Sequence, residues 1–402
     1  MYYRQPKYYG EFRCIGSECV HTCCYGWNID WKKEEVDKVK NTPNISPELK
    51  ELVERSFIPL RNDENVFIVK FDERGRCPCV TEEGLCRIQK ELGAEYLSDT
   101  CTVYPRRGTG MNGVIHRCCC SSCSEIIKML LNDEKSIDLV NTPQKSGASL
   151  VLDKAFMDEH IEKRPALKYY NEIFEFYYEL ISDKKISVET AIIFGALAAQ
   201  KLNEISEKEK YDMIPEALKV FRKQFHNAGQ LKAIEDIKPN YYLKFGFLSE
   251  IAEKVVENGA TALLHDETGT LNVDLYNKGE EGLREALKGR EFFLRSLAQN
   301  LLLEFDVPFH FEVKTIFENY SLFAAAYGLL KLNLIAVFST EKSITMRTRG
   351  QEFVYHGDKK LIGMTAIICR GVCQNPLKAK AIIELLSDNN FTTPAYLALL
   401  IK

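Results

Sequence analysis

The sequence has little tryptophan, two residues in 402, and only seven histidines. Its charges nearly cancel: 53 lysines and arginines against 57 acidic residues leave a formal net charge of −4. Such a balance gives no electrostatic argument for nucleic acid or an anionic membrane, and neither is expected as a partner. Long apolar runs are also missing. The longest wholly apolar stretches, such as LIAVF at 334–338, fall far short of the roughly 20 residues that a spanning helix needs. The first residues, MYYRQPKYYGEF, are polar and aromatic and hold no apolar signal core. A cytoplasmic chain without membrane insertion is expected.

Common catalytic signatures are missing as well. There is no G-x4-G-K-[ST] phosphate loop, no H-E-x-x-H and no G-x-S-x-G. The C-x3-C-x2-C run of radical adenosylmethionine enzymes is absent too, since Cys19-x3-Cys23 is followed by Gly26 where a third cysteine is needed. GTGMNG at 108–113 matches G-x-G-x-x-G at Gly108, Gly110 and Gly113, but YPRR precedes it and VIHRCCC follows. A dinucleotide loop needs an apolar strand before it and an amphipathic helix after it.

What the chain does have is cysteine. Twelve of its 14 cysteines lie in the first 123 residues, and Cys369 and Cys373 stand alone near the other end. The first group is C-x4-C-x3-C-C: Cys14, Cys19, Cys23 and Cys24. The second is CPCVTEEGLC, with Cys77, Cys79 and Cys86, followed by Cys101 in SDTCTVYPRR. The third is HRCCCSSC, with Cys118, Cys119, Cys120 and Cys123. Cytosolic thiols are kept reduced, so such crowding points to metal binding before disulfides or redox chemistry. Thiolates suit zinc and iron–sulfur clusters alike, and spacing alone does not choose between them. Adjacent cysteines in extended backbone point different ways, so one of a pair can bind metal while its neighbour packs or binds elsewhere. His21 and His116 are read as packing or surface groups, because thiols already suffice as ligands.

Regular structure is expected to be sparse before residue 125. NVFIVKF (65–71) alternates as a strand does, and 31–41 and 46–57 read as short helices with Asp30 and Ser46 as N-caps. CSEIIKMLLNDE opens a helix, and NTPQKSGASL (141–150) reads as a linker. Beyond it the periodicity is helical: 164–183 with Pro165 in its first turn, a helix capped by Ser187, then EEGLREALKGREFFLRSLAQNLLLEF, KTIFENYSLFAAAYGLLKLNLIAVF, KAKAIIELLSD and TPAYLALLIK. The aromatic stripe from Tyr169 to Tyr178 is the ordinary signal of a core helix face. The expected architecture is therefore mainly α: a small irregular cysteine-rich metal-binding domain at 1–125, then an all-helical domain of six to nine helices at 126–402.

FRCIGSECVHTCCYGWNIDW (12–31), CPCVTEEGLCRIQKELGAEYLSDTCTVYPRR (77–107) and the Cys-Ser-Glu at 123–125 together resemble the bacterial flagellin lysine-N-methylase family. That family carries F-x-C-x4-C-x3-C-C-x-G-W, then C-P-x-L…G-x-C-x-I-Q…L-S-x-T-C-x-x-Y-P-R, then C-P-E. The first two blocks match in order and nearly residue by residue, and LLLEFDVPF is similar to the family's later part. The resemblance is sharp over residues 8–126. Cys79, the triplet Cys118–Cys120 and Ser124 depart from the pattern.

The resemblance implies transfer of a methyl group from S-adenosylmethionine to lysine side chains of flagellin, with an iron–sulfur cluster on the cysteine domain. The cluster would be of the 4Fe-4S type, with zinc as the alternative. The family pattern falls on Cys14, Cys19, Cys23, Cys24, Cys77, Cys86, Cys101 and Cys123 as metal residues. Tyr104 is a candidate proton acceptor from lysine and Arg106 a candidate carboxylate holder, while Trp27 and Asp30 are read as framework. The rival readings are a non-enzymatic zinc- or iron-binding assembly protein and a redox cluster protein.

Overall fold

The computed structural model describes residues 2–26, 29–73, 75–111, 113–143, 152–155, 158–256, 259–310, 313–348, 351–373 and 376–402. Helix dominates. Local chemistry sets many of the helix starts. The Ser46 hydroxyl accepts from the Leu49 amide at 3.2 Å and Pro47 opens helix Pro47–Ser56. Ser187 caps helix Val188–Glu207 through the Thr190 amide at 3.0 Å. Thr315 and Glu318 close a reciprocal capping box, both bonds at 3.1 Å, at the start of helix Ile316–Phe338.

One expected cap moves. Asp30 lies in a short strand, and helix Lys33–Asn41 begins after Lys32, whose amide is taken by the Glu35 carboxylate at 2.7 Å. Pairing of residues 30–32 with a neighbouring strand holds Asp30 extended and pushes the helix start two residues on.

Among the described residues ten strands form three sheets: β1 (Tyr2–Pro6), β2 (Asp30–Lys32), β3 (Phe57–Leu60), β4 (Asp63–Val69), β5 (Arg106–Met111), β6 (Val114–Cys119), β7 (Leu139–Pro143), β8 (Leu152–Ala155), β9 (Ile344–Thr348) and β10 (Gln351–Tyr355). A mixed sheet runs β7-β1-β6-β5-β8, with β1 parallel to β6 and β8 parallel to β5. A small antiparallel sheet runs β2-β4-β3, and β9 and β10 pair as a two-stranded sheet. The larger sheet takes strands from both sides of residue 125, and the chain beyond it is not all helical, because β7 to β10 lie there. Strands this short carry too little alternation to stand out beside strong helical periodicity. Of the expected linker, 141–143 form the end of β7 and 144–150 lie outside the described residues.

The buried side chains form two cores. The smaller gathers Ile29, Trp31, Val36, Val39, Leu49, Val53, Phe57, Val69, Cys77, Cys79 and Ile88 around the three-stranded sheet. The cysteine-rich segment is thus more regular than expected. The larger core joins Tyr8, Phe12, Met111 and Cys119 to the helices. Tyr170, Phe174, Phe176, Tyr177 and Tyr178 are buried in it, as an ordinary core stripe.

Twelve α-helices start after residue 126 among the described residues, more than the six to nine expected. EEGLREALKGREFFLRSLAQNLLLEF splits into parts of Val273–Ala286 and Phe293–Glu304 because Gly289 turns left-handed, at φ +77°. Helix Ile316–Phe338 is long and apolar enough, by length and composition, to cross a bilayer, yet its side chains are almost all inside the protein. Asn319, Ser321 and Asn333 interrupt its apolar runs and bond to backbone carbonyls. Helix Val273–Ala286 approaches it so closely that a Cβ on Gly279 would strike the Ile335 carbonyl.

A charged network crosses this helical core. Glu189 accepts from Lys331 at 2.8 Å and from the Tyr327 hydroxyl at 3.0 Å. Burial alone would raise its carboxyl, but Lys331 outweighs that and holds it down at about 2. A depressed carboxyl contributes stability that is present above its unfolded value, near 4.5, and is lost as pH falls toward 2. Glu189→Gln should therefore flatten the loss of thermal stability between pH 4.5 and 2, which melting curves across that window would check.

Candidate metal centre

All fourteen cysteines carry thiols, and the fold sorts them into three neighbourhoods. The first is built where residues 24–26 pair with 75–77. Cys77 N donates to the Cys24 carbonyl at 3.0 Å, and Gly26 N to the Gly75 carbonyl at 2.9 Å. The loop from Cys79 to Cys86 closes through Arg87 N to the Cys79 carbonyl at 2.7 Å, with Gly84 at φ +81° in its turn. Cys101 sits on helix Asp99–Val103, where the Ser98 hydroxyl accepts from its amide at 3.1 Å. Cys24, Cys77, Cys79, Cys86 and Cys101 all pack on the smaller core. Cys101 lies within electrostatic range of Cys24, Cys77 and Cys86.

The second neighbourhood contains Cys14, Cys19, Cys23 and Cys123. Cys123 stands directly before helix Ser124–Asn132, and Cys14 and Cys19 lie within electrostatic range of it. Ser124 stitches the two segments together: its hydroxyl donates to the His21 carbonyl at 3.3 Å and accepts from the His21 amide at 3.5 Å. Cys23 belongs to this side, with Cys123 among its neighbours, and it is also hydrogen-bonded to Cys24. The adjacent pair Cys23–Cys24 therefore joins the two neighbourhoods.

Arg370, from helix Asp358–Cys373, buckles that junction. Its guanidinium donates to the Tyr25 carbonyl at 2.8 Å and to the Thr22 carbonyl at 3.1 Å. Nothing local in the sequence marks this residue, more than 300 positions from the loop it holds.

The thiols respond to these surroundings in opposite directions. Cys24 is lowered, first by the hydrogen bond from Cys23, with Thr22, Arg370 and Arg76 adding to it, and the same bond raises Cys23. Burial pushes Cys19 and Cys86 up to about 11, and Cys101 and Cys123 up to about 12. Buried thiolates without a cation are costly, and a bound cation reverses that cost.

The third neighbourhood was split between the two ends of the sequence. Cys118 and Cys119 lie in β6 and are fully buried, with the Asn300 amide donating to the Cys119 carbonyl at 3.0 Å and the Tyr8 hydroxyl accepting from the Cys119 amide at 3.0 Å. Behind them stand Glu304, Arg107 and Asp306, none of which the sequence singled out. The Ser121 amide donates to Glu304 at 3.0 Å, and Arg107 pairs with Asp306 at 2.8 Å.

The other sequence candidates are placed as follows. The Tyr104 hydroxyl lies 3.0 Å from the Ser122 hydroxyl, and burial raises its phenol well above the ordinary value, with Cys123, Cys23 and Cys120 nearby. The Tyr104–Pro105 peptide is cis. Arg106 lies over the Phe12 ring at 4.9 Å and donates to the Phe12 carbonyl at 3.3 Å, partners distinct from the Ser122 hydroxyl beside Tyr104. His21 lies 3.0 Å from the Tyr355 hydroxyl, and His116 lies 2.9 Å from Asn171 against Phe174. Trp27 lies outside the described residues. Gly108 and Gly110 are within β5 and Gly113 turns into β6 at φ +78°, so the glycine motif is a hairpin and not the entry to a helix.

As placed, no three His, Cys, Asp or Glu side chains among the described residues close on a single ion. The donor chemistry nevertheless fits a thiolate-bound metal: two neighbourhoods each offer four of the eight family-pattern thiols, on loops whose backbones are already pinned. Beside the second opens a cleft of about 240 Å³, lined by Ile15, Glu18, Ser124, Glu125, Lys128 and Asp358 among others.

Comparison with known proteins adds two findings. A family model described as the FliB lysine N-methylase C-terminal domain matches residues 174–400. The flagellar biosynthetic protein FliU of Salmonella muenchen is 31% identical over 137 residues, covering 34% of this chain and 80% of that protein. The lysine-N-methylases of Salmonella typhimurium and Salmonella choleraesuis are also 31% identical over 137 residues, covering 34% of this chain and 34% of theirs. The matched stretch thus spans about a third of those two relatives. No solved structure matches.

Proposed function

The chain belongs to the FliB lysine N-methylase family, and from that premise we propose that it is a cytoplasmic protein-lysine N-methyltransferase that moves a methyl group from S-adenosylmethionine to flagellin. The family match carries this reading, and the names of the relatives, lysine-N-methylase and flagellar biosynthetic protein, support its substrate. We assign Cys14, Cys19, Cys23 and Cys123 on one side, and Cys24, Cys77, Cys86 and Cys101 on the other, as the thiols from which an iron–sulfur cluster would be held. When bound, such a cluster supplies an electron-poor iron centre able to act as a Lewis acid or to pass an electron.

The chemistry asks one thing of the protein before all others. A lysine nitrogen attacks a methyl sulfonium only after its ammonium has lost a proton, and at an ordinary value near 10.4 that proton stays on at neutral pH. The N–C bond then forms as the methyl–sulfur bond breaks. The cleft beside the second neighbourhood has the features to receive an ammonium. Glu125 lines it at 16% side-chain exposure, 3.6 Å from Lys128, and Glu18 adds a carboxylate, so that these two can take the proton the lysine gives up, while Asp358 is engaged by Arg290 at 2.8 Å. Tyr104 keeps its own proton, because burial disfavours the phenolate. Its role in this reading is to orient Ser122 and the adjoining Cys123 segment.

The test is anaerobic purification of the full chain with ultraviolet–visible spectroscopy and metal analysis, followed by mass spectrometry of flagellin incubated with S-adenosylmethionine. A brown protein containing iron and sulfide, and increments of one methyl mass on flagellin lysines, are expected. A colourless zinc protein would remove the cluster from the proposal. Unmodified flagellin under both reducing and non-reducing conditions would remove the activity.

A further inference from the structure

Five cysteines are not claimed by the family pattern in this neighbourhood of the fold: Cys118, Cys119 and Cys120 from the extra triplet, and Cys369 and Cys373 from the far end of the chain. The fold brings three of them together around one carboxylate. Cys369 and Cys373 lie four residues apart on helix Asp358–Cys373, hence on one face of it, and their thiols are hydrogen-bonded to each other. Cys373 also lies in electrostatic range of Glu304 and of Cys120, and Cys369 of Glu304. Glu304 is 1% exposed. Its Oε2 accepts from the Ser121 amide at 3.0 Å, its buried Oε1 has no well-aligned donor, and the Cys373 thiol lies within hydrogen-bonding reach of the carboxylate.

A buried carboxylate oxygen whose nearest donor is a weak, poorly aligned thiol, among three cysteines, is a costly arrangement in the metal-free protein. We propose that Cys120, Cys369, Cys373 and Glu304 form a further metal site, separate from the family-pattern thiols, for a soft divalent cation such as zinc. Three sulfurs and one carboxylate oxygen are a tetrahedral donor set for that ion. The backbones are already fixed: Cys120 by its amide to the Pro105 carbonyl at 2.8 Å, Glu304 at the end of helix Phe293–Glu304, and the two C-terminal cysteines on their helix. As placed the four groups do not close on one point, so closure requires side-chain movement and loss of the thiol protons. Arg107, close to Glu304, offsets the surplus negative charge.

The site would tie the C-terminal helix to the turn after β6, on the same helix whose Arg370 grips residues 22–25. It does not rest on the methyltransferase reading. The experiment uses full-length protein loaded with zinc, freed of excess by gel filtration and analysed for total iron and zinc per chain. The Cys369→Ser, Cys373→Ser double variant is expected to hold about one metal fewer than the parent, and Glu304→Gln to release that metal to EDTA sooner. The Cys14→Ser, Cys101→Ser double variant should keep it. Cobalt substitution adds a spectroscopic readout, since the thiolate-to-cobalt bands of this site should vanish only in the first double variant. Should that variant fail to fold, Glu304→Gln, which keeps the shape and the Ser121 bond, decides the matter alone. Equal metal content and equal EDTA release in parent and variants would overturn the site, as would a Cys369–Cys373 disulfide in protein purified under reducing conditions.

Discussion

Replacing Arg107 by methionine should destabilise the protein by about 3–5 kcal/mol, the usual cost of removing one partner of a buried ion pair. Arg107 meets Asp306 at 2.8 Å, with side-chain exposures of 21% and 4%. Burial opposes the guanidinium's charge, but Asp306, Cys118, Cys120 and Glu304 outweigh it and hold Arg107 firmly charged. Methionine fills most of the space but leaves the Asp306 carboxylate in the interior with no cation. A second change, Asp306→Asn, should recover most of the loss. Asparagine is the apt rescue because Asp306 sits at φ +50°, a left-handed conformation that asparagine tolerates and leucine does not. Urea unfolding of the two single variants and the double variant checks this. A double variant no more stable than Arg107→Met would show that the arginine acts through packing and not through charge.

Lys244→Met should move stability the other way. Lys244 is 1% exposed, and its ammonium donates to the Tyr276 hydroxyl at 3.2 Å. Burial first, and Lys331 second, lower it to about 7, against the partial support of Glu189 and Glu280. Between pH 7 and its ordinary value near 10.5 the unfolded chain binds a proton that the folded chain has given up. Stability from this group therefore rises with pH across that window. Methionine removes the cost of burying the charge and should stabilise the protein at pH 7 by about 1–3 kcal/mol. Urea unfolding at pH 7 and pH 10 should show the parent gaining on the variant at the higher pH. A variant less stable than the parent at pH 7 would mean that the bond to Tyr276 outweighs desolvation.

What could be read from the sequence was what local chemistry controls. Ser46 and Ser187 cap where their position before an apolar period says they should, and 65–71 overlaps β4. Helix Ile316–Phe338 follows from its periodicity, and the family follows from the cysteine blocks together with LLLEFDVPF. The features that escaped depend on residues far apart in the chain. The pairing of Tyr2 with Val114 leaves no periodic trace, nor does the reach of Arg370 to Thr22 and Tyr25. Asp30 looked like a cap because nothing before it said that β4 would claim it. That Cys23 and Cys24 could serve different neighbours was legible from their adjacency, but which later cysteines each would join was not, because Cys123 and Cys101 reach them only through the fold. Glu304 carries no local mark in the sequence, because Ser121 and Cys373 reach it only through the fold.

The order β7-β1-β6-β5-β8 bears on any attempt to divide the protein for study. A fragment ending at residue 125 would contain every family-pattern cysteine but would lose both outer strands of the larger sheet. β1 would surrender its partner from 139–143 and β5 its partner from 152–155, baring a row of unsatisfied amides and carbonyls along each side. Such a fragment has the makings of a self-associating particle, able to join copies edge to edge. The thiol-rich segment is therefore best handled within the whole chain, where the later strands seal the sheet it hangs from.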